Sequence, residues 1–237
     1  MVDQEKLSKE LIEIMTPHAE PHRAEKMQAY AKSKLPFLGL ELPVLRDVTK
    51  AWRKSLKPTT HEEYAAYTLA IWSNATYHEE RHTAIDYARL HKKFITLEQL
   101  DTYEQLITEG AWWDLVDPIA SNLVGKAVLD ASSDEGYQRM DEWIEADHMW
   151  LRRSALIFQL RAKDRTDQDR LFRYALKVAD ETEFFIRKAT GWALRQYANY
   201  APDDVEAFVH DNEDTFSNLT VREALKNIEK QKAKIKK

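Results

Sequence analysis

The sequence predicts an all-α protein, an α-solenoid of short HEAT-like helical repeats. Three observations lead there. Apolar residues recur at three- and four-residue steps through nearly every segment, the period of a helix with one buried face. Glycine is scarce, 5 in 237 residues, about 2% against an average near 7%, and no stretch alternates as a strand would. The third observation is internal self-similarity. Leu151-Arg152-Arg153-Ser154-Ala155 aligns with Ile186-Arg187-Lys188-Ala189-Thr190 at an offset of 35 residues, with an apolar, two basic and a small residue in order. Leu115-Val116-Asp117-Pro118-Ile119 lies 36 residues earlier, and Glu80-Arg81-His82-Thr83-Ala84 one step before that. HEAT repeats carry two or three helices in about 40–47 residues, so these units are shorter relatives. About six antiparallel helix pairs are expected.

The elements follow in order. Leu7, Leu11, Ile14 and Met15 give the helix at 4–16 its apolar face. Helices come next at 20–33 and 43–56, where Pro21 and Pro43 stand in the first turn, a place that tolerates a residue without an N–H. Thr60 with Glu63 is a capping box ahead of 61–73, whose Tyr64, Tyr67 and Ile71 share a face. The next helix covers 79–91. Thr96 with Gln99 reads as a second box before 97–108, with Leu100, Tyr103, Leu106 and Ile107 inward. Helices at 113–130, 134–146, 149–162, 168–179 and 184–198 continue the chain. Pro202 opens 203–211, and 219–233 closes the series. Short connections and the lack of a linker predict a single domain over 1–237, with 228–237 as a basic, partly flexible tail.

Composition excludes several kinds of chemistry. The absence of Cys removes disulfides, thiolate zinc sites, iron–sulfur clusters and a Cys nucleophile, and it suits a reducing cytoplasm. The scarcity of Gly argues against a phosphate-binding loop. No apolar run approaches the roughly 20 residues of a spanning helix, and the charged first thirty residues do not read as a signal peptide. The net charge is −5, but it is unevenly spread. Residues 98–148 hold 13 acids against Lys126 and Arg139, while 149–198 hold 11 bases against 6 acids. A basic groove on an acidic body fits this distribution better than indiscriminate nucleic-acid coating.

One motif points elsewhere. His78-Glu79-Glu80-Arg81-His82 has the H-E-x-x-H spacing that lets two His share a metal while the Glu acts as base. The surroundings oppose a zinc hydrolase. Ala88 stands where a third His would follow six residues on, His91 lies nine residues on, and no downstream helix offers a good Glu. The string is therefore read as a polar first helical turn, and no bound metal is expected.

The repeat register singles out a different set. His82, Asp117, Arg153 and Lys188 are equivalent, and equivalent positions of a solenoid line one surface. Trp113 precedes Asp117 by four residues and Trp192 follows Lys188 by four, so each Trp shares its partner's face. Each residue alone reads as packing or solvated charge. Together, two Trp, a carboxylate, an Arg and a Lys in register read as a binding site.

Three strings carry a resemblance. Gly110-Ala111-Trp112-Trp113-Asp114-Leu115-Val116-Asp117, Trp150-Leu151-Arg152-Arg153-Ser154-Ala155-Leu156-Ile157-Phe158-Gln159-Leu160 and Phe184-Phe185-Ile186-Arg187-Lys188-Ala189-Thr190-Gly191-Trp192-Ala193-Leu194-Arg195-Gln196-Tyr197 strongly resemble the AlkD family of DNA alkylpurine glycosylases. Tyr30 and Phe37-Leu38-Gly39 extend the likeness, which runs from about residue 5 to 230. The resemblance implies a concave face that holds duplex DNA and removal of cationic N3- and N7-alkylated purines, leaving an abasic site. It implies Asp117 as catalytic carboxylate, Trp113 and Trp192 beside the damaged nucleotide, and Arg153 on a phosphate. Tyr30, Arg46, Arg161, Lys188 and Arg195 match positions on the DNA face, with Arg161 where the family pattern has Lys. The resemblance further implies a monomer without cofactor or obligate protein partner, cytoplasmic and nucleoid-associated when on DNA. The alternatives are a non-catalytic DNA-binding HEAT-like protein and, after it, the zinc hydrolase.

Overall fold

The computed structural model describes residues 2–235 of the chain. Among the described residues every regular element is helical. The chain divides into two units, Met1–Ile119 and Ala120–Lys237. Each is a series of packed helices with short connections, as an α-solenoid of HEAT-like repeats requires.

The first unit contains α1 (Gln4–Met15), α2 (Pro21–Ala31), α3 (Leu42–Val48), α4 (Lys50–Ser55), α5 (His61–Ser73), α6 (His78–Leu90), α7 (Leu100–Gly110) and α8 (Trp113–Ile119). The expected helix at 43–56 is two. At the break, Thr49 Oγ1 donates to the Leu45 carbonyl at 2.7 Å and accepts from Arg53 Nε at 3.1 Å, and such back-bonding bends helices. Of the box expected at α5, Thr60 makes its half, accepting the Glu63 N–H at 3.2 Å, while the Glu63 carboxylate reaches back to the N–H and hydroxyl of Thr59. The second capping box does not form. Thr96 Oγ1 pairs with His61 Nδ1 at 3.3 Å and Gln99 donates to the His61 carbonyl, so a 3₁₀ turn at Leu97–Gln99 precedes α7. Tyr64, Trp72, Tyr87 and Tyr103 fill the centre of this unit. The Tyr64 and Tyr103 hydroxyls meet at 2.9 Å.

The second unit contains a π-helical turn (Ala120–Val124), α9 (Gly125–Leu129), α10 (Glu135–Glu145), α11 (Met149–Ile157), α12 (Gln168–Lys177), α13 (Phe184–Tyr197), α14 (Pro202–Asp211), α15 (Asn218–Leu225) and α16 (Ile228–Ile235). The sequence suggested one helix at 113–130, with Pro118 in its first turn. Pro118 is instead the sixth residue of α8. There it offers no N–H to the Asp114 carbonyl, and the backbone widens to π geometry two residues later. Lys226-Asn227 likewise divides the expected 219–233 helix. Leu171, Leu194, Val205, Val209 and Phe216 form the core here, and Ile228 joins it from α16. The described part of the expected tail is thus a helix with a buried start, while Lys236 and Lys237 lie outside the described residues. Gly191 allows α13 and α15 to touch. A Cβ there would lie 2.5 Å from Glu223 Cβ and 2.7 Å from the Thr220 carbonyl oxygen. No helix among the described residues is long and apolar enough to cross a membrane.

Candidate functional site

The residues matched by the repeat keep the same position within their helices. His82, Asp117, Arg153 and Lys188 each stand fifth in α6, α8, α11 and α13. Within a unit, this position reaches the next repeat. His82 Nε2 lies 3.3 Å from Oδ2 of Asp114, the second residue of α8. Arg153 Nη1 donates to the carbonyl of Phe185, the second residue of α13, at 2.5 Å. Lys188 Nζ meets Glu223 on α15 at 2.6 Å. The other basic residue of each repeat pair braces the scaffold. Arg152 grips Glu181 with two N–H groups at 2.8 and 2.9 Å, and Arg187 Nε donates to the Glu181 carbonyl at 2.7 Å.

In the first unit, Trp113 and Asp117 are half-buried, one helical turn apart, while Leu115, Val116 and Ile119 are fully buried beneath them. The packing of α8 through those apolar residues fixes the direction in which the Trp and the carboxylate point. Tyr30 on α2 is 72% exposed and stands perpendicular to Trp113, with ring centroids 6.1 Å apart. A cavity of about 310 Å³ opens beside them, walled by Met27, Phe37, Leu40, Leu42 and Trp112, with His82 and Asp114 on its polar side. Arg46 on α3 donates to Asp86 at 2.8 Å, and Asp86 also receives Arg89 at 3.1 Å. This trio carries one net positive charge, and the Arg46 side chain is half exposed.

The H-E-x-x-H string is the polar first turn of α6, as expected, but it is a buried one. His78, Glu79 and Glu80 are all buried. Glu79 Oε1 accepts the N–H groups of Leu38, Gly39 and Leu40 at 3.0, 2.8 and 3.2 Å. It thereby holds a segment in which Gly39 has a φ of +91°, the left-handed region that favours glycine. A carboxylate occupied in this way is no general base. Glu80 accepts the N–H groups of Thr76 and Tyr77 and the Ser8 hydroxyl, all within 2.8 Å. The absence of a third metal ligand in the sequence neighbourhood is made good in space. Asp114 Oδ2 lies 2.9 Å from His78 Nε2, and burial, which would raise its carboxyl, is outweighed by the hydrogen bonds from both His, which hold it well below the usual carboxylate range.

In the second unit, Arg153 is only 4% exposed and lies near the rings of Trp150 and Phe185. Trp192 is half-buried on α13, one turn beyond Lys188. Lys188 and Arg195 converge on Glu223, with Arg195 Nη1 at 2.5 Å from Oε2. The Lys188 and Arg195 hydrogen bonds hold the Glu223 carboxyl below its ordinary value, against the opposing effect of burial. This second trio also carries one net positive charge. Arg161 is exposed at the end of the 3₁₀ turn Phe158–Arg161. Asp86, Asp114 and Glu223 escaped the sequence reading because each acts on a partner 28 to 40 residues away. A repeat offset near 35 is the only signal that could have paired them.

A family model for the DNA alkylation repair enzyme matches residues 11–228. The chain belongs to this family. It is also similar to a solved structure from Enterococcus faecalis, described as a predicted DNA alkylation repair enzyme. The two share 30% identity at a TM-score of 0.79, over 88% of this chain and 95% of that one. No curated protein matches the sequence.

Proposed function

We propose that this DNA alkylation repair protein is a monofunctional DNA glycosylase. It hydrolyses the N-glycosidic bond of cationic N3- and N7-alkylated purines in duplex DNA and leaves an abasic site. The observation that carries the reading is the pair on α8, where Trp113 and Asp117 stand one turn apart at the surface of a buried apolar seam. Family membership supplies alkylated DNA as the substrate class.

The chemistry follows from the charge of the lesion. A purine alkylated at N3 or N7 is cationic and departs as a neutral base, so a general acid has little to do. The positive charge that grows on the sugar needs stabilising. Asp117 supplies a carboxylate for it and orients or deprotonates the attacking water. The faces of Trp113 and Trp192 favour a nearby cation or polarised C–H group. Arg153 is nearly buried with one nitrogen on the Phe185 carbonyl. It therefore meets a phosphate only through the small edge of its guanidinium that stays exposed, and otherwise holds the surrounding side chains in place. Arg46, Arg161, Lys188 and Arg195 contact the backbone, and Tyr30 extends the aromatic surface beside Trp113. The two trios centred on Asp86 and Glu223 each keep a positive excess for this purpose. The reaction needs no organic cofactor, and no Lys adjoins Asp117 to form a Schiff base. The protein acts as a monomer in the cytoplasm, on the nucleoid when DNA-bound.

Duplexes carrying a single N7-methylguanine, N3-methyladenine, uracil or hypoxanthine test the reading by chromatography of released bases. Free alkylpurine with no release of uracil or hypoxanthine is expected. Binding without release would assign the protein to the non-catalytic alternative. Efficient uracil release would mean that the protein activates the leaving group, contrary to the mechanism.

A further inference from the structure

We propose that His78, His82 and Asp114 form a binding site for a divalent transition-metal ion of the zinc class. The three ligand atoms lie within 4.8 Å of one another. His78 Nε2 and His82 Nε2 are 2.9 and 3.3 Å from the same carboxylate oxygen, Asp114 Oδ2. In a tetrahedral site with metal–ligand bonds of 2.0–2.1 Å, ligand atoms stand about 3.3 Å apart. Both His–Asp114 separations are already within a few tenths of an ångström of that spacing, and the two His nitrogens, no more than 4.8 Å apart, reach it by a rotation of their rings toward each other.

The surroundings are built for a fixed imidazole. The His78 ring is stacked on Phe37 at 4.4 Å, and its Nδ1 lies 3.0 Å from Ser33 Oγ. Without metal, a proton on Nε2 of each His bonds Asp114, and the Ser33 hydroxyl donates to Nδ1 of His78. With metal on Nε2, the His78 proton sits on Nδ1 and donates to Ser33 Oγ, the outer hydrogen bond that orients metal-bound His. Ser33 Oγ also accepts the Leu35 N–H at 3.1 Å in either state. A second, independent sign is Asp114 Oδ1, which is buried and has no hydrogen-bond partner. An unsatisfied buried carboxylate oxygen calls for a donor or a cation. Two imidazoles and one carboxylate suit Zn(II), Co(II) or Ni(II) better than Mg(II) or Ca(II).

His82 and Asp114 border the apolar cavity, so a fourth coordination position opens toward it. The site is not a hydrolytic centre of the H-E-x-x-H kind, because Glu79 is committed to the Leu38–Leu40 backbone. Its effect is to clamp the start of α6 to Asp114, the residue next to Trp113. Metal occupancy would set the stiffness of the helix that carries Trp113 and Asp117. The inference stands apart from the glycosylase reading, since it is tested without DNA.

Untagged full-length protein, stripped with chelator, is titrated with Co(II) and then with Zn(II). One equivalent of Co(II) is expected to give the intense visible absorption of four-coordinate cobalt, and Zn(II) to bleach it while raising Tm. His82→Ala should lose the band and the Tm response. Ser33→Ala should weaken affinity about tenfold, as outer-sphere partners do. His22→Ala, at an exposed His on α2, should behave as wild type. His82→Gln serves where His82→Ala does not keep wild-type helicity by circular dichroism. Failure of the wild type to bind one equivalent, or binding that survives loss of His82, overturns the proposal.

Discussion

Lys188 Nζ lies 2.6 Å from Oε1 of Glu223, a carboxylate only 8% exposed that also holds Arg195. The acid pre-positions two cations on one face of α13 and cancels one of their two charges. Glu223→Gln keeps the shape and an acceptor but removes the cancelling charge. DNA affinity should therefore rise a few-fold at low salt, with a steeper salt slope, since one more cation is free for phosphate. Stability should fall by about 1 kcal/mol, the loss expected when a charge-assisted bond becomes neutral. Fluorescence anisotropy across a salt series, with urea denaturation alongside, measures both. Unchanged affinity would mean that Lys188 and Arg195 do not approach the backbone.

The same carboxylate gives a pH dependence. Its folded-state value is depressed by Lys188 and Arg195, so on acidification the unfolded chain takes up the proton first. The contribution of Glu223 is complete above the ordinary Glu value of about 4.3 and disappears as pH falls through the lower folded value. Wild type should thus exceed Glu223→Gln in stability at pH 7, and the gap should close below about pH 4. Denaturation of both proteins at a series of pH values provides the comparison. A gap that widens toward acid would reverse the sign of the interaction.

Glu79 offers a sharper structural test. Glu79→Ala leaves three buried N–H groups, those of Leu38, Gly39 and Leu40, without their acceptor. At about 1–3 kcal/mol for each unsatisfied group, partly relieved by water, a loss of about 3 kcal/mol or more is expected. Glu79→Gln retains one acceptor oxygen and should lose less. Base release per folded molecule should hardly change in Glu79→Gln. A large loss of activity with normal stability would instead return Glu79 to a catalytic role.

The periodicity exposed most of the fold because the helices bury one face each, and burial writes itself at three- and four-residue steps. It placed α5, α6 and α13 within one or two residues of their observed ends. It failed where a side chain acts on its own backbone. Thr49 splits α3 from α4 through a hydroxyl bond, and Pro118 precedes a π turn, neither of which alters the apolar pattern. The site was legible in part for a related reason. Repeat register located His82, Asp117, Arg153 and Lys188 at one helical position, but register says nothing about which acid faces a given base. Asp114 was quoted in a motif and still missed as the partner of His78 and His82, because its role depends on how α8 packs against α6.

Asp117→Asn addresses the chemistry directly. The change preserves size and most hydrogen-bonding capacity while removing the negative charge. If Asp117 stabilises positive charge on the sugar, the loss falls on the chemical step. Single-turnover excision should slow on the order of 10²–10³-fold, the range for removal of one electrostatic stabiliser, and less for the labile N3-methyladenine. Binding should respond in the opposite sense. A carboxylate near the DNA backbone repels phosphate, so its neutralisation should leave affinity equal or slightly higher. Arg153→Ala should weaken binding and rate together, and it should also destabilise the fold, because a nearly buried guanidinium that donates to the Phe185 carbonyl is lost. The two variants therefore separate charge stabilisation from DNA contact. A near-normal rate in Asp117→Asn would exclude the charge as the catalyst. A slow rate accompanied by a large fall in Tm would place Asp117 among the residues that hold α8 in place, and the aromatic surface of Trp113 and Tyr30 would then have to act without it.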